Sequence, residues 1–217
     1  MFKDRKDAGR KLAEKLGKFK DRKATIVLAI PRGGVIVGEE IAAKLNIPLS
    51  IIYVKKLSAP FNPELAVGAV GQNGATFIDW ELINKLNITE SYIKNEKKKK
   101  FKQVEERIEK YGTDINELAE YSHFILTDDG VATGATTKAA IKVIRSLQLP
   151  GKNQANIILA VPVISKKMLD EFNEQTEETA VMEVPEDFGA VGQFYIKFDQ
   201  VSDNQVINII KKYRRHS

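Results

Sequence analysis

Five short runs that are apolar at most positions do most to limit what this chain can fold into. They are "ATIVLAI" (24–30), "PLSIIYV" (48–54), "YSHFILT" (121–127), "NIILAVPVI" (156–164) and "TAVMEVP" (179–185). A strand with one wet face alternates apolar and polar residues, whereas a strand covered on both faces does not. Helical patterns separate the runs: "GGVIVGEEIAAKLN" after the first, "GATTKAAIKVIRSLQ" after the third and "SKKMLDEFNEQ" after the fourth. Strand, helix, strand is the repeating unit of a parallel sheet with helices on both sides. Ahead of the first run, Phe2, Ala8, Leu12, Ala13 and Leu16 fall near helical spacing and predict an amphipathic helix. The expected class is α/β, a doubly wound parallel sheet.

The middle of the chain breaks this rhythm. "KKLSAPFNPELAVGAVGQNGATFIDW" (55–80) is rich in Pro, Gly and Asn and reads as a long loop carrying small strands or a hairpin. Loops of that length in compact domains are often lids. "TESYIKNEKKKKFKQVEERIEKYG" (89–112) reads as a charged helix with a capping-box-like start and a stop at Gly112. The tail carries aromatics and then a last helix. With no repeat and no clear linker, residues 1–217 are expected to form one domain, with about 55–115 as an inserted lid and helical segment.

Composition narrows the chemistry. The 217 residues include no cysteine, which excludes disulfides and thiolate metal sites, and only two histidines, His123 and His216, which argues against a histidine metal site or a Ser-His-Asp triad. The basic N-terminus has no apolar core of a secretory signal, and no run is long enough to span a membrane, so the expectation is a cytoplasmic protein with no membrane partner. A net charge of +5 suits anionic ligands in general. Lys97 to Lys100 lie on a predicted helix among Glu90, Glu96, Glu105, Glu106 and Glu109. Consecutive helical residues point in different directions, so the run is read as a solvated face and not as a nucleic-acid stripe.

The stretch "HFILTDDGVATGATT" (123–137) carries the chemistry. A strand ends at two aspartates, a loop of small residues follows, and a helix begins. Small residues let main-chain N–H groups approach an anion at a helix start, and Thr133, Thr136 and Thr137 add hydroxyls. Two ionised carboxylates would repel that anion. They suit a vicinal diol, with its two O–H donors, or a hydrated divalent cation. Diol and phosphate side by side describe a ribose 5-phosphate. A helix cap alone needs only one acidic residue. The loop lacks the Lys of a Walker A motif, and no Gly-x-Gly-x-x-Gly follows the first strand.

This stretch resembles the ribose-phosphate signature of the type I phosphoribosyltransferases. The resemblance implies that Asp128 and Asp129 bind the ribose hydroxyls of phosphoribosyl pyrophosphate, and that Ala132, Thr133, Gly134, Ala135 and Thr136 bind its 5-phosphate. "AIPRGG" resembles the pyrophosphate loop of the family, with Arg32, Gly33 and Gly34 as the matching residues; that loop commonly carries a cis peptide. "YVKK" resembles the basic pair that opens the flexible loop of orotate and adenine enzymes, so Lys55 and Lys56 would face pyrophosphate oxygens. The likeness extends to "KDRKDAGRKLAEKL", "KKLSAPFNPELAVGAV" and "PEDFGAVGQFYIKFDQVSD", which are similar to segments of a branch of the family whose base substrate the motifs leave open.

The implied reaction displaces pyrophosphate from C1 of the ribose by a ring nitrogen of a base, or runs in reverse from a nucleotide. Arg32, Lys55 and Lys56 would serve as catalytic cations, Mg2+ as cofactor would be reached by Asp128 and Asp129 through water, and a lid from residues 55 to about 75 would exclude water. One position departs from the pattern. Hypoxanthine-guanine enzymes carry an aspartate, a candidate general base, where this chain has Ala132, which makes the loop more similar to that of the adenine enzymes. Glu64 is a substitute base on paper. "EDFGAVGQFYIKF" resembles the segment that stacks a ring on the base, with Phe188 as the candidate and Tyr195 behind it. Dimers are common in the family, and the apolar pieces of the middle segment would suit a homodimer. The rival reading keeps the fold and drops turnover: a regulatory protein that senses nucleotides or phosphoribosyl pyrophosphate.

Overall fold

The computed structural model describes residues 1–112, 115–147 and 154–213, apart from the side chains of Glu64, Asn73, Ile115 and Asn116. The chain divides into two compact units: Met1–Ile51 with Glu120–Gly134 and Leu149–Ser217, and Ile52–Ala119 with Ala135–Gln148.

The first unit is built on a five-stranded, wholly parallel sheet. Its strands are β1 (Thr25–Ala29), β2 (Leu49–Ile51), β6 (His123–Thr127), β7 (Asn156–Val163) and β8 (Glu178–Glu183), in the order β2-β1-β6-β7-β8. Every residue of β1 is buried, as are seven of the eight in β7, which is why these runs are apolar without alternation. The order reverses between β1 and β6, where two successive crossovers leave in opposite directions. That reversal is the switch point at which open α/β sheets hold ligands. Ala29 of β1 lies opposite Thr127 of β6, so the loops after these strands leave the sheet side by side.

Helices α1 (Arg5–Lys15), α2 (Gly33–Leu45), α6 (Lys166–Gln175) and α7 (Asp203–Tyr213) belong to this unit. Asp4 starts α1 by accepting the Asp7 N–H at 2.8 Å. The apolar stripe Ala8, Leu12, Ala13 and Leu16 is buried as the spacing predicts. Ahead of α1, the chain is zipped to the tail: Phe2 N–H donates to the Phe194 carbonyl at 2.8 Å, Ile196 N–H to Phe2 at 2.9 Å and Lys197 N–H to Lys3 at 3.0 Å.

In the second unit the small strands or hairpin expected over 55–80 are extended into a full sheet. That segment folds as a three-stranded antiparallel sheet of β3 (Lys55–Ala59), β4 (Asn62–Val70) and β5 (Thr76–Ile78), in sequence order. Its apolar pieces have a core of their own: Leu57, Val67 and Val70 pack with Ile83, Ile93 and Val104. Those partners come from α3 (Trp80–Lys85) and α4 (Glu90–Tyr111), which lie later in the chain, so the sequence window alone shows only short strands in a loop. The second strand is also shorter than the run "PLSIIYV", because Tyr53 is spent in the second unit, with its N–H on Gln72 Oε1 at 3.3 Å and its ring 6.2 Å from that of Tyr111.

Helix α4 starts at the Thr89 cap and ends at Gly112 in the left-handed conformation, as its sequence predicts. The lysine run does not form one stripe. Lys94, Lys97 and Lys98, at helical spacing, share one side and line a shallow hollow with Phe101 and Gly74, while Lys100 pairs with Glu96 at 3.3 Å. The last helix of the unit, α5 (Ala135–Arg145), packs closely enough that a Cβ on Gly71 would lie 2.7 Å from Val143. No helix among the described residues is long and apolar enough to cross a membrane.

Candidate functional site

Asp128 and Asp129 follow the last residue of β6 directly, at the switch point of the first unit. The first loop approaches them with no space to spare. A Cβ built on Gly33 would sit 1.8 Å from Asp129 Oδ2, and one on Gly34 would sit 2.8 Å from Asp128 Cα and 2.9 Å from the Thr127 carbonyl oxygen. The two glycines of "PRGG" are therefore the residues that let the two loops meet. Arg32 precedes α2 without a side-chain capping bond, the Pro31–Arg32 peptide is cis, and the Arg32 side chain is 39% exposed, 4.0 Å from Asp203.

The two aspartates are held differently. Asp128 Oδ1 accepts the Asp129 N–H at 2.8 Å. Asp129 Oδ2 accepts from Arg5 Nε at 2.8 Å, with the two side chains only 10% and 16% exposed. Arg5 in turn lies 3.7 Å over the Phe198 ring and donates from Nη1 to the Asp199 carbonyl at 2.7 Å. Tyr195 donates its hydroxyl to the Asp129 carbonyl at 2.5 Å. Burial pushes the Asp128 carboxyl well above the usual carboxylate range, and the neighbouring Asp129 charge adds to it. Burial also raises Asp129, against the hydrogen bond and charge of Arg5. Burial and the Asp129 charge raise the Tyr195 hydroxyl, which keeps it a donor.

The small-residue loop that follows is strapped to the next strand. Val131 N–H donates to Val163 at 2.9 Å, Ser165 N–H to Val131 at 3.1 Å, and Ser165 Oγ to the Ala132 carbonyl at 3.1 Å. Thr133 is exposed, and Gly134 turns with φ of 71°, its Cα facing Met168 and Phe172. These contacts fix the main chain and leave the Thr133 side chain to solvent.

Of the residues picked out in the sequence, Gly33, Gly34, Asp128, Asp129 and Tyr195 are brought together, with Ala132, Thr133 and Gly134 on the strapped loop after the aspartates. Tyr195 is buried, its ring 5.4 Å from Phe2 and 5.0 Å from Phe198. Phe188 is half-buried, its ring 5.1 Å from Phe194. Ala135 and Thr136 open α5, and Lys55 and Lys56 open β3, in the second unit. Consecutive strand residues face opposite ways, so Lys55 and Lys56 lie on opposite faces of their sheet, the Lys55 ammonium 5.7 Å from the Tyr53 ring. Two readings fall outside the described residues: the side chain of Glu64, and His216 with the end of the tail.

Sequence reasoning missed Arg5, although a signal was there. Arg5 shares its helix face with Ala8, Gly9 and Leu12, and a cation on an apolar stripe calls for a buried partner.

Comparison with known proteins gives the family. The family model described as "Phosphoribosyl transferase domain" matches residues 2–199. Proteins of two Mycobacterium tuberculosis strains, each named "Putative phosphoribosyl transferase", are 34% identical over 216 residues, covering 99% of this chain and 47% of theirs. The chain thus spans about half the length of these curated relatives. A crystal structure from Thermus thermophilus superposes with a TM-score of 0.81 at 33% identity, covering 98% of this chain and 99% of the other. With the family model matched from residue 2 to residue 199 and the doubly wound sheet beneath it, the chain belongs to the phosphoribosyl transferase family.

Proposed function

We propose that the protein transfers the phosphoribosyl group of phosphoribosyl pyrophosphate to a nitrogenous base, releasing pyrophosphate. The observation that carries this reading is the diacid at the switch point of the sheet, followed at once by a loop whose main chain is strapped in place. A vicinal diol donates to Asp128 and Asp129, and the 5-phosphate meets the N–H groups from Ala132 to Thr136. Arg32, exposed and only loosely paired, meets the leaving pyrophosphate, and the sequence likeness assigns Lys55 and Lys56 the same task.

The donor set fits Mg2+ of the kind carried by the substrate. Two carboxylates offer hard oxygens, and no group of three or more His, Cys, Asp or Glu able to hold a metal occurs among the described residues. Mg2+ retains waters and binds one or two carboxylates with substrate phosphates, and when bound it would neutralise charge on pyrophosphate. The chain's own residues then orient C1 of the ribose for in-line displacement and meet charge as it develops on the leaving group. Ala132 offers no proton acceptor at the position where some family members carry an aspartate, so the base would have to react in a form that needs no help from that residue.

The test is to incubate the protein with phosphoribosyl pyrophosphate, Mg2+ and a panel of purines, pyrimidines and pyridine bases, and to follow pyrophosphate. Base-dependent release that is lost in the double variant Asp128→Asn, Asp129→Asn is expected. No release with any base, together with unchanged donor binding in the double variant, would overturn both the reaction and the site.

A further inference from the structure

The Arg5–Asp129 pair makes little sense as a stabilising device. Taking two charges out of water is costly, and such pairs are often no better than a well-packed apolar pair. Here, however, the cation is fixed on every side. Its Nε bonds Asp129, its Nη1 bonds the Asp199 carbonyl, and its plane lies on Phe198. Its place in the chain is fixed as well, because Phe2 and Lys3 are zipped to residues 194–197 and Asp4 caps the helix. Tyr195 anchors the main chain of the same aspartate. Asp129 is thus locked at carboxylate and carbonyl, while its neighbour Asp128 has the Asp129 and Gly34 N–H groups and the more distant Arg5 charge to set against burial.

We propose that Arg5 is a positioning residue for sugar recognition: it locks the Asp129 carboxylate in the orientation that accepts one particular hydroxyl of the ribose diol. The inference rests on the reading of this site as a ribose-phosphate site. A long, flexible acceptor would tolerate the loss of a hydroxyl. A locked carboxylate left without its donor is a buried, unsatisfied group, and the site rejects the deoxy sugar for that reason. Arg5 therefore confers discrimination between ribose and deoxyribose without touching the sugar.

The test is calorimetric titration of the wild type, Arg5→Met and Arg5→Lys with inorganic phosphate, ribose 5-phosphate, 2-deoxyribose 5-phosphate and 3-deoxyribose 5-phosphate, with thermal melts to verify folding. The wild type is expected to prefer ribose 5-phosphate to both deoxy sugars. In Arg5→Met the preference over one deoxy sugar falls about tenfold, the equivalent of one charge-assisted hydrogen bond, while affinity for inorganic phosphate changes less than about twofold. Arg5→Lys keeps the charge but cannot make both bonds and the stack, so it restores the preference in part. If Arg5→Met does not fold, Arg5→Lys decides, with about a threefold loss of preference expected. A wild-type preference retained against both deoxy sugars, or an equal loss of affinity for all four ligands, overturns the proposal. Equal affinity of the wild type for phosphate and ribose 5-phosphate instead overturns the ribose-phosphate reading beneath it.

Discussion

Gly33→Ala puts one methyl group into the contact between the two site loops. The added Cβ would lie 1.8 Å from Asp129 Oδ2, 2.6 Å from its Cγ and 2.9 Å from Arg5 Nε. An ordinary carbon–oxygen contact needs about 3.4 Å, so the carboxylate must retreat by roughly 1.6 Å. An unrestrained side chain could do so cheaply. This one is bonded to Arg5 at 2.8 Å, and Arg5 is pinned to Phe198 and Asp199, so the retreat breaks the ion pair. A lost charge-assisted hydrogen bond costs about 1.5–3 kcal/mol, and overpacking alone costs a similar amount. Taking about 2–3 kcal/mol, the melting temperature should fall by about 4–12 °C for a chain of this length. Gly17→Ala is the control, since its Cβ would meet nothing within 4 Å. Both variants are followed by thermal and urea denaturation, and by calorimetric binding of ribose 5-phosphate. Gly33→Ala should lose stability and, on the proposed function, at least about tenfold in affinity, while Gly17→Ala stays near wild type. If Gly33→Ala melts within about 1 °C of wild type and binds equally well, the carboxylate is not locked, and the reasoning about Asp129 fails with it.

Other perturbations probe the rest of the site. Tyr195→Phe removes the bond to the Asp129 carbonyl and keeps the ring packing, so about 1 kcal/mol of stability should go, seen as a melting point lower by about 2–4 °C. Gly134→Ala meets both a left-handed φ of 71° and the Met168 sulfur at 2.6 Å, so a loss of about 2–4 kcal/mol is expected in urea denaturation. Asp128 binds its proton more tightly folded than unfolded, so its contribution is full below the unfolded value of 3.8 and is lost as pH rises through the raised one. Asp128→Asn should therefore melt above wild type at pH 8, with a gap that narrows towards pH 4; a gap of constant size would contradict the burial argument. Arg32→Ala, at an exposed position, should leave the melting point within about 1 °C while cutting the proposed transfer rate by roughly tenfold to a hundredfold.

The parallel sheet, its helices and the place of the diacid were legible in the sequence because each depends on local signals. Strands buried on both faces read as continuous apolar runs, α4 carries its own caps in Thr89 and Gly112, and "TDDG" marks a strand end by a change of chemistry. The pairing of "PRGG" with the aspartates was legible only by family likeness. That contact joins residues nearly a hundred positions apart, and it exists because β1 and β6 are neighbours at the switch point. The middle segment was read as a loop with small strands or a hairpin, and not as a three-stranded sheet with its own core, since the residues that bury its apolar side come from α3 and α4. Arg5 shows the limit most clearly. The sequence determines that a cation sits on the apolar face of the first helix; only the tertiary structure decides that its partner is Asp129 and its bed Phe198. A buried charge demands a counter-charge, but which one it finds depends on how distant segments are brought together, and here that is set by the main-chain zipper between residues 2–3 and 194–197.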